Sequence, residues 1–256
     1  MKRKQKNITN KVYPIAAFFF VILVWQILSI SQIIPAFMLP SPSAVWNAFY
    51  AELPSLLRHS CVTLQEAFFG LGIGILLSVL LALIMEQCAV IRKAVYPFLV
   101  VSQTIPMVAI APLLVLWLGY GLTPKITLVV LTCFFPITVA LLNGFQSAEP
   151  DAILLLKAMG ANPWQILWHV KFPAAISSFF SGLEISVSYA VVSAVVAEWL
   201  GGSAGLGVYM TRVRKAYAFD KMFAVIFWIV FISLLLIWIL KQVERKTRPW
   251  EKHRKD

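Results

Sequence analysis

The residues able to do chemistry in this 256-residue chain are few and scattered. Its three histidines, His59, His169 and His253, stand in or beside loops that the predicted topology keeps far apart, so no nucleophile and base are brought together. Cys61, Cys88 and Cys133 show no metal-ligand spacing and cannot all pair, and they read as packing residues. There is no G-x-x-x-x-G-K-[ST] and no Gly-Lys dipeptide, so the usual cradle for nucleotide phosphates is missing from the sequence. What remains are polar groups set inside apolar stretches: Gln103 and Thr104 next to Ser102 and Pro106, Asn143, and Glu184 with Ser188 one turn on and Tyr189 beside it. A membrane-embedded enzyme needs convergent His, Asp, Glu or Cys groups at one depth, and Glu184 has no acidic or His companion in the sequence. Hydrogen bonding to a polar solute in transit fits these residues better. The chain is expected to hold no metal and no cofactor of its own.

The elements that would position them are membrane spans. The chain is 60% hydrophobic and 13% charged, against about 25% charged in soluble domains. Six stretches reach the roughly 20 residues that cross about 30 Å of hydrocarbon, near 14 to 34, 62 to 85, 95 to 118, 126 to 146, 174 to 198 and 221 to 240. The first begins like a signal peptide, but its apolar run is too long and no A-x-A site follows. The net charge of +11 does not indicate nucleic acid, because the basic residues cluster at the ends and in short loops. Of the 22 Lys and Arg, 16 fall in the N-terminus, at Arg92 and Lys93, at Lys157 and Lys171, and in the tail from Lys241. By the positive-inside rule both termini are then cytoplasmic, with basic segments 1–12 and 241–256. The expected fold class is all-α, a polytopic helical bundle forming a single domain over 1–256.

One segment, 149 to 173, interrupts this apolar pattern on the cytoplasmic side. Residues 151 to 159 predict a short helix ended by Gly160, and Asn162 with Pro163 supplies an N-cap and first position for a second helix, which Pro173 should close. Trp164, Leu167 and Trp168 recur there at helical spacing as an apolar surface that wants a partner.

The segment also carries a family likeness. Gly160, nine residues, Val170, then Phe172 and Pro173 resembles the cytoplasmic "EAA" loop of ABC importer permeases, in which the loop inserts into a cleft of the ATPase subunit and transmits its closure to the spans. The E-A-A positions fall on Leu154, Leu155 and Leu156, so a salt bridge through that Glu is absent here, and Glu149 or Asp151 could substitute. The docking set implied is Glu149, Asp151, Lys157, Gly160, Ala161, Trp164, Trp168, Val170 and Pro173. LPSPSAVWNAF (39 to 49), IPMVAIAPLLVLWLGYGLTPK (105 to 125), FFPITVALLNG (134 to 144) and VVAEWLGGSAGLGVYM (195 to 210) resemble the branch serving nitrate, taurine, alkanesulfonates and thiamine-precursor pyrimidines. The EWLGG and GLGVYM pair most resembles the hydroxymethylpyrimidine-type members. The likeness implies a six-span type I importer permease fold in a bacterial inner membrane. It also implies two copies enclosing a path, an ATPase partner in two copies that binds ATP and Mg, and an extracytoplasmic binding protein. An ion-coupled secondary transporter is the rival, but coupling groups and internal repeats are not evident.

Several positions admit two readings. Gly70, Gly74, Ser78 and Ala82 form a small-residue stripe that either seats a second permease copy or packs within the chain. Glu184, about 15 Å into span five, marks a pathway or a paired interior carboxylate. Gln103, Thr104 and Asn143 face a solute, or the hydroxyls beside Pro106 repair a kinked helix. Glu66 and Glu198, near span ends, are expected to reach interfacial water. GGSAGLG, 201 to 207, reads as a flexible turn, and Arg212, Arg214 and Lys215 after it as a solvated loop or a contact to the binding protein.

Overall fold

A computed structural model describes residues 2–31, 34–35 and 38–247. The side chains of the first twelve residues and the basic tail beyond 247 lie outside the described residues. Every regular element among the described residues is helical. In chain order these are α1 (Lys2–Ile30), α2 (Pro42–Gln87), α3 (Ala89–Ser102), α4 (Met107–Leu118), α5 (Leu122–Gln146), α6 (Pro150–Ala158), α7 (Pro163–Ile166), a π turn Leu167–Lys171, α8 (Phe172–Gly201), α9 (Leu206–Lys215) and α10 (Phe219–Thr247).

Among the described residues, four helical runs are long and apolar enough to cross a bilayer: α2, α5, the unbroken 39-residue run Pro163–Gly201, and α10. Where a single span over 95 to 118 is expected, the helix is broken at 103–106 into α3 and α4, which meet at 103° as a broken span or a re-entrant loop. The bend exceeds an ordinary proline kink because Pro106 is extended (ψ 118°) as the N-cap of α4. Ser102 Oγ donates to Leu99 O (2.8 Å) and Thr104 Oγ1 to Val101 O (2.8 Å), which satisfies carbonyls that the break frees. The apolar stretch Ala16–Ile30 is shorter than these.

The contacts divide the chain into two compact units. The first, residues 1–57 with 209–228, packs Trp25 and Phe49 around Val45, Ala48 and Ala224, and ties Lys221 Nζ to Glu52 Oε1 at 2.5 Å. The second, residues 58–208 with 229–256, is built on α5 and α8, its most extensively packed pair. Small residues set how closely these two approach: a Cβ at Gly144 would lie 2.7 Å from Ala175 Cα, and one at Gly182 would lie 2.5 Å from Ala140 Cβ. Hydroxyls then join them, Ser186 Oγ donating to Cys133 O at 3.1 Å.

The stripe on α2 turns to α5 in the same way. A Cβ at Gly74 would meet Cys133 Cβ at 3.3 Å, and Ser78 Oγ donates to Phe134 O at 2.9 Å. Of the two readings of Gly70, Gly74, Ser78 and Ala82, packing within the chain is the one observed. The cysteines divide: Cys133 is buried and Cys88 half-buried, but Cys61 is exposed and packs no core.

Candidate functional site

The segment 149–173 is built from local rules. Pro150 takes the first position of α6, Asp151 lies in its first turn and Lys157 in its last, each on the side the helix dipole favours. Gly160 has φ +80°, the left-handed conformation glycine adopts without penalty, and Ala161 N reaches back to Leu156 O at 2.9 Å. Asn162 then closes a reciprocal capping box: Gln165 N donates to Asn162 Oδ1 and Asn162 N to Gln165 Oε1, both at 2.8 Å. His169 is exposed, its Nδ1 2.8 Å from Gln165 O.

The structure corrects one boundary. Pro173 does not close the second helix, because α7 runs through the π turn into α8 without interruption. Phe172 N bonds to Leu167 O, five residues back, and the wider turn admits the residue that lacks an N–H. The apolar surface is likewise rearranged. Leu167 is buried in the core with Met85 and Phe145, while Trp164, Trp168, Leu154, Leu155 and Met159 are exposed. Glu149, Asp151, Lys157 and Gly160 are exposed as well, with Ala161 and Val170 half-buried and Pro173 at the surface. The result is an apolar knob whose described residues bury little against their own chain.

The helix that carries the knob also lines a cleft. A cavity of about 430 Å³ is walled by Ser102, Gln103, Thr132, Phe135, Tyr189 and Ser193 among others. Gln103 sits at the break between α3 and α4, and Tyr189 and Ser193 are on α8. Among the described residues, no charged side chain is in its wall. The other solute-facing candidates lie elsewhere: Thr104 turns to Val101 O, Asn143 is exposed on α5, and Ser188 Oγ donates to Glu184 O at 3.3 Å. Glu184 has the companion that was not evident in the sequence, Lys241 Nζ at 2.7 Å, with both side chains partly exposed.

The opposite end of α8 differs from expectation. Glu66 and Glu198 do not reach water; both are fully buried. Lys125 places its Nζ 2.6 Å from Glu66 Oε1. Glu198 accepts from Thr63 Oγ1 at 2.7 Å and from Gly207 N at 2.5 Å. The 201–207 loop is therefore clamped rather than flexible: Leu206 N donates to Thr63 Oγ1 at 2.9 Å and Gly205 N to His59 Nδ1 at 3.0 Å. Among the described residues, no group of three or more His, Cys, Asp or Glu stands ready to hold a metal.

This all-α fold is the type I importer permease fold. It is shared with a solved structure described as an amino acid ABC transporter with histidines, at a TM-score of 0.62 and 16% identity over 78% of this chain and 95% of that one. The model of the binding-protein-dependent transport system inner membrane component matches residues 70–249, and the chain belongs to that family. It is 40% identical to a probable ABC transporter permease of Haemophilus influenzae, covering 84% of this chain and 88% of the relative. It is 36% identical to the formylaminopyrimidine transport permease ThiX of Halalkalibacterium halodurans, covering 93% and 96%. The taurine transport permease TauC of Escherichia coli is 27% identical, covering 89% and 85%. This is an importer permease subunit that crosses the membrane several times.

Proposed function

We propose that two copies of this permease form a translocation path in a bacterial inner membrane, with both termini and segment 149–173 cytoplasmic. An ATPase subunit docks on each knob, through Glu149, Asp151, Lys157, Gly160, Ala161, Trp164, Trp168, Val170 and Pro173, and an extracytoplasmic binding protein delivers the solute. The observation that carries this reading is the unbroken helix Pro163–Gly201, which bears the exposed knob at one end and cleft residues Tyr189 and Ser193 farther along. Trp164 and Tyr189 are 25 residues apart, about 38 Å of helix. A partner that moves the knob moves a wall of the cleft. ATP binding need only prefer one position of that wall to shift the balance between outward and inward access. ATP and Mg stay with the partner, and no cofactor is assigned to this chain.

The solute we assign is a small neutral polar molecule of the thiamine-precursor pyrimidine class, such as hydroxymethylpyrimidine. Gln103 and Tyr189, and by extension Thr104, Asn143, Glu184 and Ser188 as the path opens, supply hydrogen bonds. A sulfonate or nitrate importer is the alternative that likeness to the taurine permease favours. An anion would gain from an Arg or Lys in the wall, and among the described residues the cleft has neither. The test is ATP-dependent uptake by the permease reconstituted in proteoliposomes with its ATPase and binding protein. Labelled hydroxymethylpyrimidine should accumulate and taurine should not; the reverse overturns the solute assignment. Uptake driven by a proton or sodium gradient without ATP overturns the mechanism.

A further inference from the structure

Glu86 belongs neither to the knob nor to the cleft, yet three elements converge on its carboxylate. It is the penultimate residue of α2, and its side chain is 8% exposed. Lys171 Nζ donates to its Oε1 at 2.5 Å, and Arg92 Nη1 on α3 lies 3.7 Å from its Oε2. A carboxylate this buried is costly without a cation, so the contact is specific rather than incidental. Lys171 ends the π turn that joins the knob to α8. Four residues before it, Leu167 packs in one apolar cluster with Met85, the neighbour of Glu86. The root of the knob is thus fixed to the end of α2 twice, once by apolar contact and once by charge. From Arg92, α3 runs eleven residues, about 16 Å, to Gln103 at the helix break and in the cleft wall.

We propose that Glu86 is a positioning residue for transport: through Lys171 and Arg92 it passes movement of segment 149–173 to α2 and α3, and so to the break at 103–106. The inference rests on the docking reading above. A contact contributes to coupling only if it differs between two states. Glu86 has that option, because Arg92 stands beside the same carboxylate and can take it over when Lys171 is drawn away. The π turn supplies the give, being the one non-α turn in the run from Pro163 to Gly201.

The test needs no knowledge of the solute. Gln103→Cys is introduced with Cys61, Cys88 and Cys133 replaced by Ser, and the permease is assembled with its ATPase subunit. The maleimide labelling rate at position 103 is then compared with and without Mg-ATP, alongside co-purification of the ATPase. In the parent the rate should change about tenfold, within the span of ordinary coupling energies. In Glu86→Gln the change should fall below about twofold while the ATPase still co-purifies and still hydrolyses ATP. Lys171→Gln, which leaves Arg92 in place, should lose part of the change, and Glu86→Asp, which keeps the charge facing both cations, should retain most of it. A full change in Glu86→Gln with the ATPase bound overturns this inference alone. A parent that fails to retain the ATPase overturns the docking reading with it. An undiminished change in Lys171→Gln, in a complex of parental thermal stability, also overturns the proposal.

Discussion

The two ends of the helical run Pro163–Gly201 solve opposite problems with similar residues. At the Gly201 end, Glu198 and Glu66 are fully buried, Lys125 is paired, and loop amides are held by Glu198, Thr63 and His59. At the Pro163 end, α6 contributes no buried residue and two tryptophans face outward. Each end has a glycine with positive φ, yet their surroundings differ completely. A Cβ on Gly205 (φ +123°) would collide with the Glu198 carboxylate, whereas one on Gly160 (φ +80°) would meet nothing within 4 Å. One end is finished by its own chain. The other leaves its apolar side chains uncovered.

The comparison can be broken most severely at the buried pair. Lys125→Met leaves Glu66 in the interior without its cation and should cost about 3–5 kcal/mol, read as a lowered unfolding midpoint in detergent. The double variant with Glu66→Met should recover most of that loss. Next come the two glycines. Gly205→Ala should cost about 2–3 kcal/mol from strain and overlap together, while Gly160→Ala should cost about 1 kcal/mol, the left-handed penalty alone. Function should reverse that order: a bulky residue at 160, such as Leu, should abolish uptake while the protein stays in the membrane. Unchanged uptake in Gly160→Leu would remove the docking argument.

Trp164→Ala should leave the unfolding midpoint within about 0.5 kcal/mol of the parent, as exposed substitutions do, yet weaken ATPase co-purification about tenfold if the ring seats in a partner pocket. Parental co-purification would return Trp164 to the class of ordinary surface aromatics. The most local effect is expected at the cap. Asn162→Ala should cost about 1 kcal/mol, seen as faster amide exchange at residues 164–166.

Legibility in the sequence followed the range of the interaction. The Gly160 reversal and the Asn162, Pro163 restart were readable because caps and positive φ depend on neighbours within five residues. Spans four and five were readable for the same reason, since apolar runs are local. The ion pairs were not: Glu66 and Lys125 are 59 residues apart and Lys171 and Glu86 are 85 apart. A signal was nonetheless present. Alternating span direction puts Glu66, Lys125 and Glu198 at one membrane level and Glu86, Arg92 and Lys171 at the other, and buried opposite charges at equal depth are natural partners. Pro173 misled because a proline rule made for regular helices does not anticipate a π turn placed just before it. The break at 103–106 was read only as a kink, because Pro106 marks where a helix fails without fixing the angle at which the next begins.

The helix from Pro163 to Gly201 has one more consequence. At 1.5 Å per residue its 39 residues extend about 58 Å, nearly twice the roughly 30 Å of a bilayer's hydrocarbon. Such a beam carries displacement from tip to tip: pivoting by about 5° around its middle sweeps each tip by roughly 2.5 Å, on a half-length of about 29 Å. That is comparable to the width of a water molecule. A short displacement at one tip therefore reappears at the other on the scale of a small molecule.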